Sequence, residues 1–382
     1  MPPSYKLSYW EYDSFFKQID LAVIGSGIVG LSAAINLKQL LPDQEVVIFE
    51  RGSLPIGAST RNAGFACFGS MTELIDDLSQ RSPDEVWGLV EKRFNGLQYL
   101  RSLLGDEHLG YEACGGYELF QAKDEAIFEQ CHDKMGEFNA VLASITKDPQ
   151  NFVLSSKTSN AFPGVKNIIF SKAEGSIDTG KMMKSLLDKA LDLGVRIYNG
   201  ISVASLTPNG NSVDLILENG WEVSVSQVLA ATNGFSQTLL PDLAILPARN
   251  QVLVTKPIPG LSLSGCYHYE QGYYYFRNIH GRVLLGGGRN LDAQTEQTPT
   301  FGPNPMIRER LEVMLRELIL PNTPYEIDRW WTGILGVGVQ KTPILRDMGS
   351  GVFVAARLGG MGVAIGAGLG KDAAELMLAA RV

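Results

Sequence analysis

The sequence predicts an α/β protein: a mostly parallel sheet wound with helices, joined to a second α+β unit on a mixed or antiparallel sheet. Three observations predict it. A short apolar run, Leu21-Ala22-Val23-Ile24, enters the glycine turn Gly25-Ser26-Gly27-Ile28-Val29-Gly30 and then apolar positions at helical spacing. A second apolar run, Val46-Val47-Ile48-Phe49, ends in Glu50, 20 residues beyond Gly30. A further strand, glycine turn and helix occupy 352–378.

The opening turn has a mechanical reading. Gly25 allows the tight bend, Gly27 admits a pyrophosphate against the backbone, and Gly30 lets helix pack close on strand. Ile28 and Val29 begin a helix whose free N–H groups and positive dipole end point at the phosphates. Glu50 stands where a carboxylate accepts from ribose hydroxyls. Strand, turn, helix, strand and acid in register make this a Rossmann-like dinucleotide site.

At 382 residues and 45% apolar, the chain is long enough for two cores. We expect one unit from the separated segments 1–80, 165–245 and 326–382, and a substrate-binding unit from 81–164 and 246–325. A formal charge of −8 without any basic run argues against nucleic acid. Cys67, Cys114, Cys131 and Cys266 show no C-x-x-C spacing and no histidine clustering, so reduced thiols and no metal site are expected. Residues 1–20 lack the apolar region of a secretory signal, and no stretch has the length of a membrane span; a cytoplasmic location is expected.

After Glu50 and Arg51, the loop Gly57-Ala58-Ser59-Thr60-Arg61-Asn62-Ala63-Gly64 offers small residues around one fixed charge, room for a flat ligand. Helical spacing then runs from Thr72 to Leu104 with a break at Ser82-Pro83, a strand is expected at 117–120, and another helix at 124–145. Ile168-Ile169-Phe170 is read as the return to the first unit, followed by a helix from Thr179, a strand at 195–198, a strand at 202–206 holding Val203, and a hairpin across Asn219-Gly220. The strand at 228–231 ends in Thr232-Asn233-Gly234, a small turn at a sheet's carboxyl edge, where ligands bind. Strands at 250–255, 272–277 and 282–288 follow; Tyr273, Tyr274 and Tyr275 must alternate faces, and Tyr274 is expected to face a cavity and bond a substrate. A helix at 306–320 precedes Trp330-Trp331-Thr332-Gly333. Last comes Arg357-Leu358-Gly359-Gly360-Met361-Gly362 and a helix from Val363, whose N-terminus would suit the electron-rich edge of a flavin ring.

In this order the motifs Gly25-x-Gly27-x-x-Gly30, Glu50, Arg61-Asn62-x-Gly64, Asn233-Gly234, the hairpin 273–288, Trp331-x-Gly333 and Gly359-Gly360-x-Gly362 resemble the D-amino-acid oxidase superfamily of FAD-dependent oxidoreductases. Within it, Arg61-Asn62-Ala63-Gly64, and Trp331-x-Gly333 followed by Lys341-x-Pro343, are most similar to the γ-glutamylputrescine oxidoreductase, glycine oxidase and sarcosine oxidase group. The resemblance implies FAD, held without a covalent bond since no cysteine stands near Trp331, and oxidation of an amine or amino acid by hydride transfer to flavin N5. It extends the cofactor contacts to Arg51, Ser59, Thr60, Arg61, Ala63, Val203, Thr232, Gly333, Arg357, Met361 and Val363.

Departures from the group bear on substrate. The arginine that holds a carboxylate after the Trp-x-Gly segment is replaced by Leu335 or Gly336, a lysine of the terminal turn by Ala364, and an oxygen-assisting lysine by Leu284. A simple α-amino acid is then expected only where Arg277, Arg357 or Arg61 replaces the missing charge, Arg357 first; Arg357, Arg61 and Tyr274 are the catalytic candidates. The alternatives are a 2-hydroxy-acid dehydrogenase, which needs a general base such as His268 or His280, and a flavin-binding protein without turnover.

Overall fold

A computed structural model of the chain describes residues 5–155 and 162–381. The outer ends of the 1–80 and 326–382 segments, and residues 156–161 of the 81–164 segment, lie outside the described residues.

Leu21–Ile24 and Val46–Glu50 are buried on both faces, which is why each reads as an unbroken apolar run rather than an alternation. They sit at the centre of a six-stranded sheet ordered Ile344–Asp347, Val352–Ala356, Gln227–Ala230, Leu21–Ile24, Val46–Glu50, Arg196–Asn199. All neighbours are parallel except the first pair. On one face Leu21, Val23, Val46 and Ile48 pack under the helices Ile28–Leu40, Thr179–Asp192 and Gly362–Ala379. On the other, Ala22, Ile24, Val47 and Phe49 meet a three-stranded antiparallel sheet, Val203–Asn209, Ser212–Leu217 and Glu222–Val225. Each buried Val, Leu or Ile side chain contributes about 1.5–3 kcal/mol.

The second sheet has eight strands, in the order Ile327–Val337, Leu246–Thr255, Arg282–Gly287, Tyr274–Ile279, Cys266–Tyr269, Gly116–Gln121, Val165–Ser171, Phe152–Leu154. One neighbouring pair, Cys266–Tyr269 with Gly116–Gln121, is parallel. The helix Pro305–Met314 covers one face over Tyr274, Phe276 and Leu285. The helices Met71–Gln80 and Glu125–Thr146 cover its far end over Phe120, Phe152 and Ile169.

Three expected boundaries move. Val165–Ser171 pairs with Gly116–Gln121, and Ile327–Val337 pairs along Leu246–Thr255, so both belong to the large sheet rather than to the nucleotide unit. Their apolar runs carry no mark of which sheet they join; partner strands decide it. The helix Pro83–Leu104, placed by sequence in the second unit, spans both: Val86 and Val90 join the core under Phe120 and Phe152, whereas Leu97 and Leu100 are buried in the nucleotide core. Gly96 permits this: a side-chain carbon there would lie 2.5 Å from Ala364 O of the terminal helix. Among the described residues no helix is long and apolar enough to cross a membrane.

Candidate active site

The carboxyl ends of Leu21–Ile24, Val46–Glu50 and Gln227–Ala230 open on one elongated cavity, lined by Gly25, Gly27, Ile28, Val29, Glu50, Arg51, Ser59, Asn62, Val203, Thr232, Asn233, Gly234, Gly359, Gly360, Gly362 and Val363 among others. Gly27 and Gly360, distant in sequence, thus share one wall. Gly25 adopts φ +102°, and a side-chain carbon on Gly30 would lie 1.9 Å from Gly25 O, so strand and helix meet at backbone contact. Gly27 caps the Ile28–Leu40 helix with no side-chain partner, leaving its first turn turned toward the cavity. There Ile28 N donates to Ser59 Oγ at 2.9 Å.

Glu50 is fixed as well as placed. One carboxylate oxygen accepts from Ser26 N (3.0 Å) and Ser26 Oγ (2.7 Å), the other from Gly52 N (2.9 Å), and lone pairs remain free on the cavity side. Ser26 was only the variable position of the glycine turn to sequence reading; its role comes from a contact across strands.

At the other end, Asn233 holds the left-handed φ of 45° and Arg357 that of 65°. Asn233 Oδ1 accepts from Arg357 N at 3.0 Å and Leu358 N at 3.3 Å, locking the two strand ends together. Beyond them, side-chain carbons on Gly359 or Gly360 would meet nothing within 4 Å. These glycines face open cavity, and the Gly362–Ala379 helix follows without a side-chain cap. A phosphate-accepting helix start, a fixed ribose acid and a bare glycine edge below a second helix start fit an adenine dinucleotide carrying a flat redox ring.

A second cavity of about 390 Å³ adjoins the first, within the range of small-molecule sites. The two share Ala58, Asn62, Leu335, Leu358, Gly359, Gly360 and Val363. Its wall includes Arg61, Ala63, Phe65, Cys67, Glu73, Arg93, His268, Tyr273, Tyr275, Arg289, Gly333, Lys341, Arg357 and Met361.

Tyr274 is not on that wall. It is fully buried under the 305–314 helix, with Arg310 over its ring, and its hydroxyl lacks a partner. Alternation was read correctly but in the wrong phase: Tyr273 and Tyr275 face the cavity, the latter across from Gly286 in the ladder. Arg357 lines the cavity, yet its guanidinium is engaged: Nε and Nη2 donate to Thr342 O at 3.0 and 2.8 Å, and Nη1 to Ala244 O. Arg61 donates to Ile56 O and Thr332 O and lies over the Phe301 ring. Arg277, buried, donates to Ala63 O and Ile177 O. All three arginines expected to anchor a substrate hold backbone carbonyls, and Arg61 and Arg357 also line the second cavity. Gly30, Thr60 and Gly64 also touch neither cavity: Gly30 sets helix packing, Thr60 Oγ1 bonds Pro55 O, and Gly64 turns the loop at φ +72°.

The expectation that cysteine and histidine do not cluster is corrected too. Cys67, Glu174 and His268 bring their polar atoms within 4.8 Å of one another, all buried. His268 Nε2 lies 3.4 Å from Glu174 Oε2. Burial lowers the His268 pKa, but the nearby Glu174 carboxylate and the charges of Glu118 and Glu73 outweigh it and raise the pKa above its ordinary value. Burial pushes the Cys67 thiol up to about 12, which makes it a poor nucleophile. Residues 67, 174 and 268 are far apart in sequence; the alternation of the strand at 266–269 was the one available hint.

The family model for FAD dependent oxidoreductases of the DAO type matches residues 20–376. The chain belongs to the DAO family. Its members use FAD, so FAD is the dinucleotide that the first cavity fits, and this DAO chain is an FAD-dependent oxidoreductase. It is 25% identical to the "Probable oxidoreductase OrdL" of Rhizobium meliloti (strain 1021), over 95% of this chain and 83% of that protein. Among solved structures, glycine oxidase from Geobacillus kaustophilus superposes with a TM-score of 0.76 at 18% identity, covering 95% of both chains. L-proline dehydrogenase from P. horikoshii gives 0.73 at 17% identity, covering 95% of this chain and 94% of that one. At such identities the superpositions speak for the fold of this DAO chain.

Proposed function

We propose that the protein oxidises a carbon–nitrogen bond of a small amine or amino acid. The observation that carries this reading is the shared wall: a molecule in the second cavity, against Leu358, Gly359 and Gly360, touches whatever fills that end of the first. FAD held between the Gly25–Gly30 turn and the Leu358–Gly360 edge would supply the two-electron acceptor for this oxidation, whose imine product water would hydrolyse. The chain's own part is modest. It binds the amine, aligns that carbon across the Leu358–Gly360 edge, and limits water behind Phe65, Val252 and Leu335. Amine oxidation of this kind asks little acid–base help beyond loss of the ammonium proton, and the cavity wall has no activated triad among the described residues. The oxidase and the dehydrogenase that superpose on this fold, named for glycine and proline, support the substrate class.

A 2-hydroxy-acid dehydrogenase is the second reading, because His268 does stand on the cavity wall. Against it, the carboxylates around His268 favour the cation, which cannot take a hydroxyl proton.

The experiment is an absorption spectrum of the purified protein, then anaerobic addition of amines, amino acids and 2-hydroxy acids. Amine or amino-acid bleaching of the flavin is expected. Bleaching by hydroxy acids alone would overturn the reading.

A further inference from the structure

The substrate cavity has a strongly cationic wall, and its cations are not equivalent. Arg93 donates to Phe68 O and pairs with Glu73; Lys341 pairs with Glu73 and Asp77. Arg61 and Arg357 are tied to backbone carbonyls. Arg289 differs. It lines the cavity half-buried and makes no hydrogen bond or ion pair with any described residue.

Its position is dictated by backbone chemistry. The strand Arg282–Gly287 ends in two successive left-handed residues, Gly287 at φ +115° and Gly288 at φ +77°. A side-chain carbon on Gly287 would lie 1.9 Å from Tyr273 O, and Gly288 N donates to that same carbonyl at 2.9 Å. Gly287 has no room for a side chain, and this double turn takes the chain off the sheet and starts the short helix Arg289–Asp292 beside the cavity. Arg289 is therefore carried on a rigid pivot. A guanidinium has five fixed donors and stays charged, and a half-buried one without partners is a vacant fork for an anion.

We infer that Arg289 binds the anionic group, a carboxylate, of the molecule oxidised here, so that the substrate is an amino acid or another carboxylated amine rather than a simple amine. This rests on the amine-oxidation reading and narrows it. Arg289 touches the carboxylate and not the hydrogen that is transferred; it sets affinity first.

The test uses the FAD-loaded full chain and its R289A, R289Q and R289K variants. Two measurements separate the two ideas. In the first, acetate is titrated against the flavin spectrum as a bare carboxylate probe, which needs no turnover. R289A and R289Q are expected to weaken acetate about 10- to 100-fold, the loss of a charge-assisted pair, with R289K in between. In the second, the flavin is reduced anaerobically by amino acids and by their decarboxylated amines. The KM for the carboxylated member is expected to rise by a similar factor in R289A while its limiting rate and the KM for the amine hold within about twofold. Acetate binding and carboxylate KM that are unchanged in R289A, with the flavin spectrum intact, would overturn the assignment. Failure of every amine and amino acid to reduce the flavin would overturn the broader reading, while the acetate titration would still decide Arg289.

Discussion

Asn233 Oδ1 accepts the backbone N–H of Arg357 at 3.0 Å, joining two residues that both hold left-handed backbone at the ends of adjacent parallel strands. One side chain thereby sets where the turn 357–360 stands relative to the 232–234 turn. Replacing Asn233 by Ala leaves the N–H groups of Arg357 and Leu358 without an acceptor and should cost about 1–3 kcal/mol in urea unfolding. Asp, which keeps the acceptor, should stay near wild type. Gly relieves the φ and not the lost bonds, so it should fall between them, and FAD release followed by fluorescence should keep the same order.

Two glycines should separate fold from cofactor. Gly30→Ala drives a methyl into Gly25 O, and no soluble yellow protein is expected. Gly360→Ala meets nothing within 4 Å, so the apoprotein Tm should move by no more than ~2 °C. The same methyl points into the first cavity, and if that is where FAD binds, its affinity should fall about tenfold by overpacking. Calorimetry of the apoprotein beside a flavin titration tests both.

Arg277 staples the loop at Ala63 to the start of the Thr179–Asp192 helix through Ala63 O (2.6 Å) and Ile177 O (2.7 Å). Arg277→Met should cost about 2–4 kcal/mol because two buried carbonyls lose a charged donor. Lys replaces the fork by a single point and should recover only part of it. The carboxylate KM of the folded fraction should not change, which distinguishes this arginine from Arg289.

Stability should depend on pH through His268. Its folded pKa is raised above the ordinary ~6.5. Protons are then bound more tightly in the folded state, so the contribution is complete below about pH 6.5 and is lost as pH climbs through the raised value. The stability difference between wild type and His268→Gln, measured by urea unfolding between pH 5.5 and 9, should be largest at the acid end and shrink toward the alkaline end. A difference growing with pH would contradict the protonated His268–Glu174 pair.

The nucleotide half was legible because its signals are local. Gly25, Gly27, Gly30 and Glu50 sit at fixed offsets, and each has one steric or hydrogen-bonding job. The hairpin at 274–287 and the terminal glycine turn were legible for the same reason. What escaped depends on contacts remote in sequence. The strand Ile327–Val337 reads the same whichever sheet it joins, and only its ladder with Leu246–Thr255 decides. Alternation told that Tyr274 and Tyr275 part ways, but their phase is fixed by the 305–314 helix covering one side. Arg357, Arg277 and Arg61 looked available because a sequence shows a charge without showing the carbonyls around it. The Gly286-Gly287-Gly288 run read only as the end of the strand 282–288, and the placing of Arg289 needed the turn and the cavity beside it.

Ile327–Val337 supplies Leu335 to both cavities and is hydrogen-bonded along Leu246–Thr255 from Leu246/Val337 to Thr255/Ile327. A ladder of that length ties the strand shared by both cavities firmly into the large sheet. Divergence toward new substrates is accordingly confined. A change on the common strand disturbs both cavities together, whereas Gln271, Gly272, Tyr273, Tyr275 and Arg289 line the second cavity alone. Descendants of this chain that handle different molecules should differ at the latter and keep the former.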